Sequence, residues 1–259
     1  MISPRIVVIT GASGGLGQAL ARLHLGKGDV VIIASRRFVP ADLYGHERHI
    51  RERLHHYSLD VTDREAIGQF ADWVRSRFGR CDLLYNNAGT ASFKPFAEMS
   101  ADELEATLQT NIAGVLYTTR AFLPMMLERG HGHIVNIASL AGIVATAKAS
   151  VYAASKAAVI RFSEGLRHEL AGTGIVVTCV MPGPIDTPFL DHADQTGAYR
   201  GKVSRYLLDP EQTAAKIGEA VENKQPELAL PKSLGTLSLL YTVLPYRLRQ
   251  LFAPLLNRK

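Results

Sequence analysis

The sequence predicts an α/β protein with one parallel sheet covered by helices on both faces. Three observations predict it: short β-branched runs alternate with amphipathic stretches almost throughout, the first run passes straight into a glycine-rich turn, and no Pro/Gly/Ser linker divides the chain. Parallel neighbours need long crossovers, and right-handed helical crossovers are the economical way to supply them. The result is a single Rossmann-type doubly wound sheet. At 259 residues the chain is long for one domain, but doubly wound sheets often reach this size as one unit.

The first strand is Ile6 to Ile9, followed by runs at Val30 to Ala34, Leu54 to Ser58, Leu83 to Tyr85, His133 to Ile137 and Val176 to Val180. Each is short, as strands bounded by helices are. Helical periodicity occupies Gly15 to Leu25, Arg64 to Phe78, Ala101 to Arg129 and Val151 to Leu170. Pro182-Gly183-Pro184, followed by Thr187-Pro188, marks a loop leaving a strand, and Asp191 to Ser204 lacks strong periodicity. A loop of that length in a compact domain is usually a lid, so residues 185–208 are expected to close over a substrate. A helix resumes from Pro210 to Asn223. The expected organisation is a dinucleotide-binding and catalytic domain over residues 1–226 and an apolar extension over residues 227–259.

Composition excludes several classes. With 47% hydrophobic and 20% charged residues the chain is neither disordered nor collagen-like. Its formal charge of +5 comes without any Lys/Arg run of the kind that marks a nucleic-acid patch. Cys81 and Cys179 lie beside apolar runs and read as reduced core residues. His55-His56 and His131-Gly-His133 have no carboxylate or Cys at ligand spacing, so no metal is expected. The N-terminal apolar run is too short for a signal peptide, which makes a cytoplasmic location the expectation.

The chemistry is concentrated in a few motifs. Thr10-Gly11-Ala12-Ser13-Gly14-Gly15-Leu16-Gly17 lies between a strand and a helix, where glycines allow a pyrophosphate to approach and the helix N-terminus attracts it. Tyr152 and Lys156 are four residues apart in a helical pattern and share a face. A nearby ammonium lowers a phenol's pKa from about 10 toward neutral pH, which would let Tyr152 exchange a proton with an alcohol or carbonyl oxygen. Ser35-Arg36-Arg37 follows the second strand. Ser35 stands where an Asp would bind the 2′-hydroxyl of NAD, and Arg36 offers a fork to a 2′-phosphate, so NADP(H) is the expected cofactor.

The spacing Thr-Gly-x-x-x-Gly-x-Gly, Asn86-Asn87-Ala88-Gly89 after the fourth strand, Asn111, Ser139, Tyr152-Ala-Ala-Ser-Lys156 and Pro182-Gly183 with Thr187 occur in one order along the chain. Over residues 5 to about 220 this resembles the short-chain dehydrogenase/reductase family in its classical form. The resemblance implies that Ser139 hydrogen-bonds the reacting oxygen, Tyr152 exchanges its proton, Lys156 holds the nicotinamide ribose and tunes Tyr152, and Asn111 supports a water reaching Lys156. It also implies dinucleotide contacts at Gly11, Ser13, Gly15, Leu16, Gly17, Ser35, Arg36, Arg37, Asp60, Val61, Asn87, Ala88, Gly89, Tyr152, Lys156, Pro182, Gly183, Ile185 and Thr187, with Asp60-Val61 receiving the adenine. Gly14 departs from many NADP-dependent relatives, which carry a second basic residue there.

The function expected is an NADP(H)-dependent oxidoreductase interconverting a ketone and a secondary alcohol, on a hydrophobic or lipid-like substrate of 3-oxoacyl, sphingoid or steroid type. A nucleotide-sensing protein without turnover and an epimerase or dehydratase are the alternatives on the same scaffold. Pairing through the helices at 101–129 and 151–170 is implied by the resemblance, giving a homo-oligomer.

The C-terminal stretch needs its own reading. No charge occurs from Ser233 to Tyr246, and Leu234, Leu237, Tyr241, Leu244, Leu248, Leu251, Phe252 and Leu255 recur at helical steps, interrupted by Pro245 and accompanied by Arg247 and Arg249. The uncharged run is too short to span a bilayer. Such a stripe either folds over the substrate cleft or a subunit interface, or lies on a membrane surface.

Overall fold

The computed structural model describes residues 3–40, 44, 48–194, 196–245 and 247–249. Seven strands, β1 (Ile6–Thr10), β2 (Val30–Ser35), β3 (Leu54–Ser58), β4 (Leu83–Asn86), β5 (Gly132–Ile137), β6 (Ile175–Pro182) and β7 (Glu227–Leu230), form one sheet in the order β3-β2-β1-β4-β5-β6-β7. Every pairing is parallel. The helices are α1 (Gly15–Gly26), α2 (Arg48–Arg53), α3 (Arg64–Phe78), α4 (Ala101–Leu108), α5 (Gly114–Arg129), α6 (Ser150–Glu169), α7 (Pro188–Ala193), α8 (Ala198–Val203), α9 (Pro210–Glu222) and α10 (Lys232–Val243).

The alternation of side chains along β1 explains the layering. Val7 and Ile9 pack with Leu20 of α1 and Ile217 of α9, whereas Ile6 and Val8 pack with Phe70 of α3 and Phe122 of α5. Both faces of the strand are therefore apolar, and each large side chain so buried contributes about 1.5–3 kcal/mol. Local chemistry fixes the helix ends. Asp63 caps α3 by accepting from the backbone N–H groups of Glu65 and Ala66, and left-handed Gly79 ends it. Ser100 and Glu103 form a reciprocal capping box at α4, and Asp209 caps α9 just before Pro210.

Four features differ from the sequence expectation. The helix expected over 101–129 is divided by a widened π turn at Gln109–Ala113. The stretch expected as loop over 191–204 contains the end of α7 and all of α8. Residues 48–53, unassigned from sequence, form α2. The extension expected from residue 227 begins inside the sheet, where Glu227–Leu230 pairs with β6 as a seventh strand. That strand contains neither a β-branched nor an aromatic residue, whereas each of the other six has at least one, so it lacks the signal by which they are recognised.

The histidine pairs have structural contacts. His55 packs its ring on Phe78 at 5.1 Å, and His133 hydrogen-bonds Thr178 at 2.8 Å. Cys81 and Cys179 are free and buried.

Candidate active site

β1 and β4 are neighbours, and the chain leaves the carboxyl end of β1 toward β2 but that of β4 toward β5, in opposite directions, which opens a crevice between them. The glycine turn lines it. Gly11 has a φ of +67°, and a Cβ on it would lie 2.6 Å from the Cα of Ala88. Gly15 has a φ of +54° and abuts Thr187 at 2.8 Å by the same measure. Asn87 staples the turn from behind, its Nδ2 donating to the carbonyls of Thr10 and Gly11 at 3.0 and 3.1 Å. Tyr44, which no sequence motif marks, donates its hydroxyl to the carbonyl of Ala12 at 2.9 Å. α1 begins at the crevice with neither a side-chain cap nor an acidic residue in its first turn. Its N-terminal dipole is thus uncompensated, and this open glycine cradle fits a pyrophosphate.

A cavity of about 1060 Å³ runs from the glycine turn past Tyr152 to α10. This exceeds the roughly 300–1,000 Å³ of a site for one drug-sized ligand. At one end Ser35 is buried and donates its hydroxyl to the carbonyl of Arg37 at 2.8 Å, bending the chain after β2. Arg36 is exposed and sits 3.9 Å from the Asp60 carboxylate, a long pair that water screens.

At the other end, α6 presents Tyr152 and Lys156 one turn apart. Lys156 is 4% exposed, and its Nζ donates to the carbonyl of Ile137 at 2.8 Å. Ser139, two residues beyond β5, donates its hydroxyl to the Pro182 carbonyl at 3.3 Å and accepts from the backbone N–H of Ala141 at 3.1 Å. Asn111 occupies the π turn. Its Oδ1 accepts from the N–H of Thr90 at 2.8 Å, and its Nδ2 donates to the Thr90 carbonyl and to Ser155 Oγ at 2.8 and 2.9 Å. The widened turn lets the amide face Gly89, where a Cβ would meet both Asn111 Oδ1 at 3.4 Å and Lys156 Nζ at 3.6 Å.

The electrostatics depart from the expectation of a lowered phenol pKa. Burial pushes Tyr152 up to about 12, with the Ser139 hydrogen bond acting in the opposite sense. Burial also brings Lys156 down to about 8. The physical reason is distance and competition, because the ammonium turns toward Ile137 and stays 5.8 Å from the Tyr152 ring centre. In the protein itself, desolvation outweighs the ammonium's field.

Around Tyr152 the walls are aromatic. Phe93 meets it edge-on with ring centres 5.6 Å apart, Phe189 lies at 6.0 Å, and Tyr199 packs on Phe93 at 4.6 Å. The only carboxylate among the described lining residues is Asp60, at the opposite end. Phe93 was not legible in the sequence, since the segment after Gly89 has no periodicity and only the crossover from β4 places it here.

The segment over 185–208 closes on itself. Asp186 donates its N–H to the Leu208 carbonyl at 2.9 Å, and Leu208 donates to the Pro184 carbonyl at 2.8 Å. Arg200 gathers Asp186, Asp191 (2.9 Å) and the carbonyl of Thr187 (3.0 Å). α10 brings Leu234, Leu237 and Tyr241 of the expected stripe to the cavity wall, and Leu244 just past its end joins them. Leu248 is exposed, and Leu251, Phe252 and Leu255 lie outside the described residues.

The family model described as short chain dehydrogenase matches residues 5–197. The chain belongs to the short-chain dehydrogenase family. An uncharacterized oxidoreductase of Staphylococcus aureus strain N315 is 34% identical, over 84% of this chain and 90% of that one. Among solved structures, a short-chain dehydrogenase from Streptomyces avermitilis has a TM-score of 0.81 at 34% identity, covering 96% of both chains. The closed form of a serine dehydrogenase complexed with NADP+ has a TM-score of 0.74 at 32% identity, covering 87% of this chain and 94% of that one. A short-chain dehydrogenase/reductase from Burkholderia phymatum in complex with NAD has a TM-score of 0.83 at 25% identity, covering 92% and 93%.

In this chain, the residues singled out from sequence all reach the cavity wall except Gly17 and Asn111. Gly17 packs the start of α1 onto the turn, where a Cβ would lie 2.7 Å from the Cα of Ala12. Asn111 stands one layer behind, bonded to Thr90 and Ser155.

Proposed function

We propose that this chain is an NADP(H)-dependent oxidoreductase that interconverts a ketone and a secondary alcohol on an apolar, lipid-like substrate. The observation that carries the reading is the meeting of Ser139, Tyr152 and Lys156 at the aromatic end of a cavity whose other end carries Ser35, Arg36 and Arg37. Gly11 to Leu16, Asp60, Val61, Asn87 to Gly89 and the segment Pro182 to Thr187 would hold the dinucleotide between those ends. Bound there, the nicotinamide supplies or accepts the hydride.

Tyr152, with its pKa near 12, keeps its proton at neutral pH and so stands ready to give it to a carbonyl oxygen. Ser139 donates a hydrogen bond to the same oxygen, and Lys156, below its usual pKa but still largely protonated at pH 7, offsets negative charge as it develops on the phenol. Asn111 fixes the backbone at Thr90, and with it the wall beside Lys156. The aromatic surroundings and the absence of a carboxylate near Tyr152 among the described lining residues favour a neutral apolar substrate over an amino acid. Arg36, loosely paired, is free to swing onto a 2′-phosphate. The reading includes a homo-oligomer formed through α5 and α6 and a cytoplasmic location, where free thiols such as Cys81 and Cys179 are the rule.

Steady-state kinetics with NADPH and NADH against 3-oxoacyl thioesters, sphingoid ketones and steroids test it. A charge-assisted phosphate contact contributes about 1.5–3 kcal/mol, so kcat/KM with NADPH should exceed that with NADH by at least about tenfold. Tyr152→Phe should lower kcat by roughly 10²- to 10⁴-fold while NADPH binding, followed by fluorescence, persists. Equal kcat/KM for the two cofactors overturns the NADP(H) assignment, and near-normal turnover in the Phe variant overturns the role of Tyr152.

A further inference from the structure

α10 starts two residues after β7, and its first turns are anchored: a Cβ on Gly235 would lie 2.4 Å from that of Ala229. Farther along, its apolar side chains are largely exposed. Leu237, Leu239, Leu240 and Val243 are 61%, 56%, 58% and 77% exposed. Three of these, Leu237, Leu240 and Val243, also line the cavity. Residues that both face solvent and line a cavity form its rim, so the mouth of the site is edged by exposed hydrocarbon. Large contiguous apolar surface of this kind marks a contact site.

The charge of the chain identifies the contact. Twenty-nine Lys and Arg face 24 Asp and Glu in the whole sequence, and no acidic residue follows Glu227. Lys232, Arg247, Arg249, Arg258 and Lys259 lie after it. The first 227 residues are therefore balanced, with 24 charges of each sign, and the entire net charge of +5 belongs to the final 32 residues. An apolar helix face accompanied only by cations complements an anionic bilayer surface. A second copy of the same face would bring like charges together, which disfavours self-association through it. The geometry excludes a span, since a 12-residue helix is about 18 Å long and the hydrocarbon core is about 30 Å thick. Among the described residues no helix is long and apolar enough to cross a membrane.

We propose that α10, with Arg247 and Arg249 beyond it, docks in the plane of an anionic phospholipid bilayer. The exposed leucines enter the headgroup boundary, Arg247 meets phosphate, and the cavity mouth opens onto lipid, so that the substrate is a ketone or alcohol resident in the bilayer. The substrate clause rests on the enzymatic reading above, whereas the docking clause does not.

The test is flotation of the full-length chain with vesicles of phosphatidylcholine alone or with about 30% phosphatidylglycerol, at about 50 and about 500 mM NaCl. Binding is expected on the anionic vesicles at low salt and should fall at least roughly tenfold at high salt or without the anionic lipid. A cation near such a surface contributes about fivefold to binding, so reversing one with Arg247→Glu should weaken it at least roughly tenfold. Leu239, exposed and outside the cavity lining, supplies the second variant. Leu239→Glu should lose vesicle binding while keeping its melting temperature and its kcat/KM for a short water-soluble ketone.

Failure to float with either vesicle overturns the docking, as does equal binding to both. A dimer that Leu239→Glu dissociates, with vesicle binding unchanged, overturns it in favour of a second copy on this face. Flotation as described with no turnover of any ketone supports the docking and sinks the enzymatic reading and its substrate clause alone.

Discussion

At the scale of single residues, the four-residue spacing of Tyr152 and Lys156 was enough to place both on one face of α6, because helical periodicity is local. Their ionisation was not legible, because it depends on burial and on the Ile137 carbonyl, which belongs to a strand 19 residues away. The lowered pKa of Lys156 has a measurable consequence. A base whose pKa falls from 10.5 in the unfolded chain to about 8 in the folded one binds fewer protons when folded, so its contribution to stability rises as pH climbs through that interval. Lys156→Met removes this dependence. The unfolding free energy of the wild type relative to the variant should increase by roughly 2 kcal/mol between about pH 7.5 and about pH 10. Urea denaturation at the two pH values measures it, and parallel changes in the two proteins would show that Lys156 is not desolvated. Ser35 and Asn87 carry a related lesson: sequence marked both as ligand contacts, and each also spends its side chain on the backbone that shapes the wall.

At the scale of elements, the strands and long helices were legible wherever β-branched runs or 3.6-residue periodicity were strong. The misses have separate causes. β7 contains no β-branched or aromatic residue, the π turn is invisible to periodicity because it shifts the register of an otherwise continuous helical stretch, and α7 and α8 are held by side-chain contacts across the segment rather than by an apolar stripe. Arg200 is the main such contact, drawing Asp186, Asp191 and the Thr187 carbonyl together at the point where Thr187 abuts Gly15. Arg200→Ala should raise KM for NADPH by about 2- to 10-fold, the scale of an exposed but networked ion pair, with kcat nearly unchanged. An unchanged KM would show that the segment holds its shape without the guanidinium.

At the scale of the whole molecule, one sheet with two helical layers was the expectation and is what forms, since β1 must bury apolar side chains on both faces. What the sequence left open was which surfaces remain uncovered. On α5, Leu116, Tyr117 and Leu127 are 37%, 37% and 44% exposed. A dimer through α5 and α6 should appear in light scattering at micromolar protein, and Leu116→Arg should shift it toward monomer; a wild-type monomer under those conditions would refute the pairing. The two walls of the substrate end also differ in kind. One is fastened by the charges of Arg200, about one-third exposed to water, and the other by Leu234 and Gly235 of α10 against the sheet edge. Dissolved ions weaken the first fastening by screening it, and cooling weakens the second as hydrophobic attraction fades. The two sides of the cleft thus differ in what loosens their fastenings, brine for one and cold for the other.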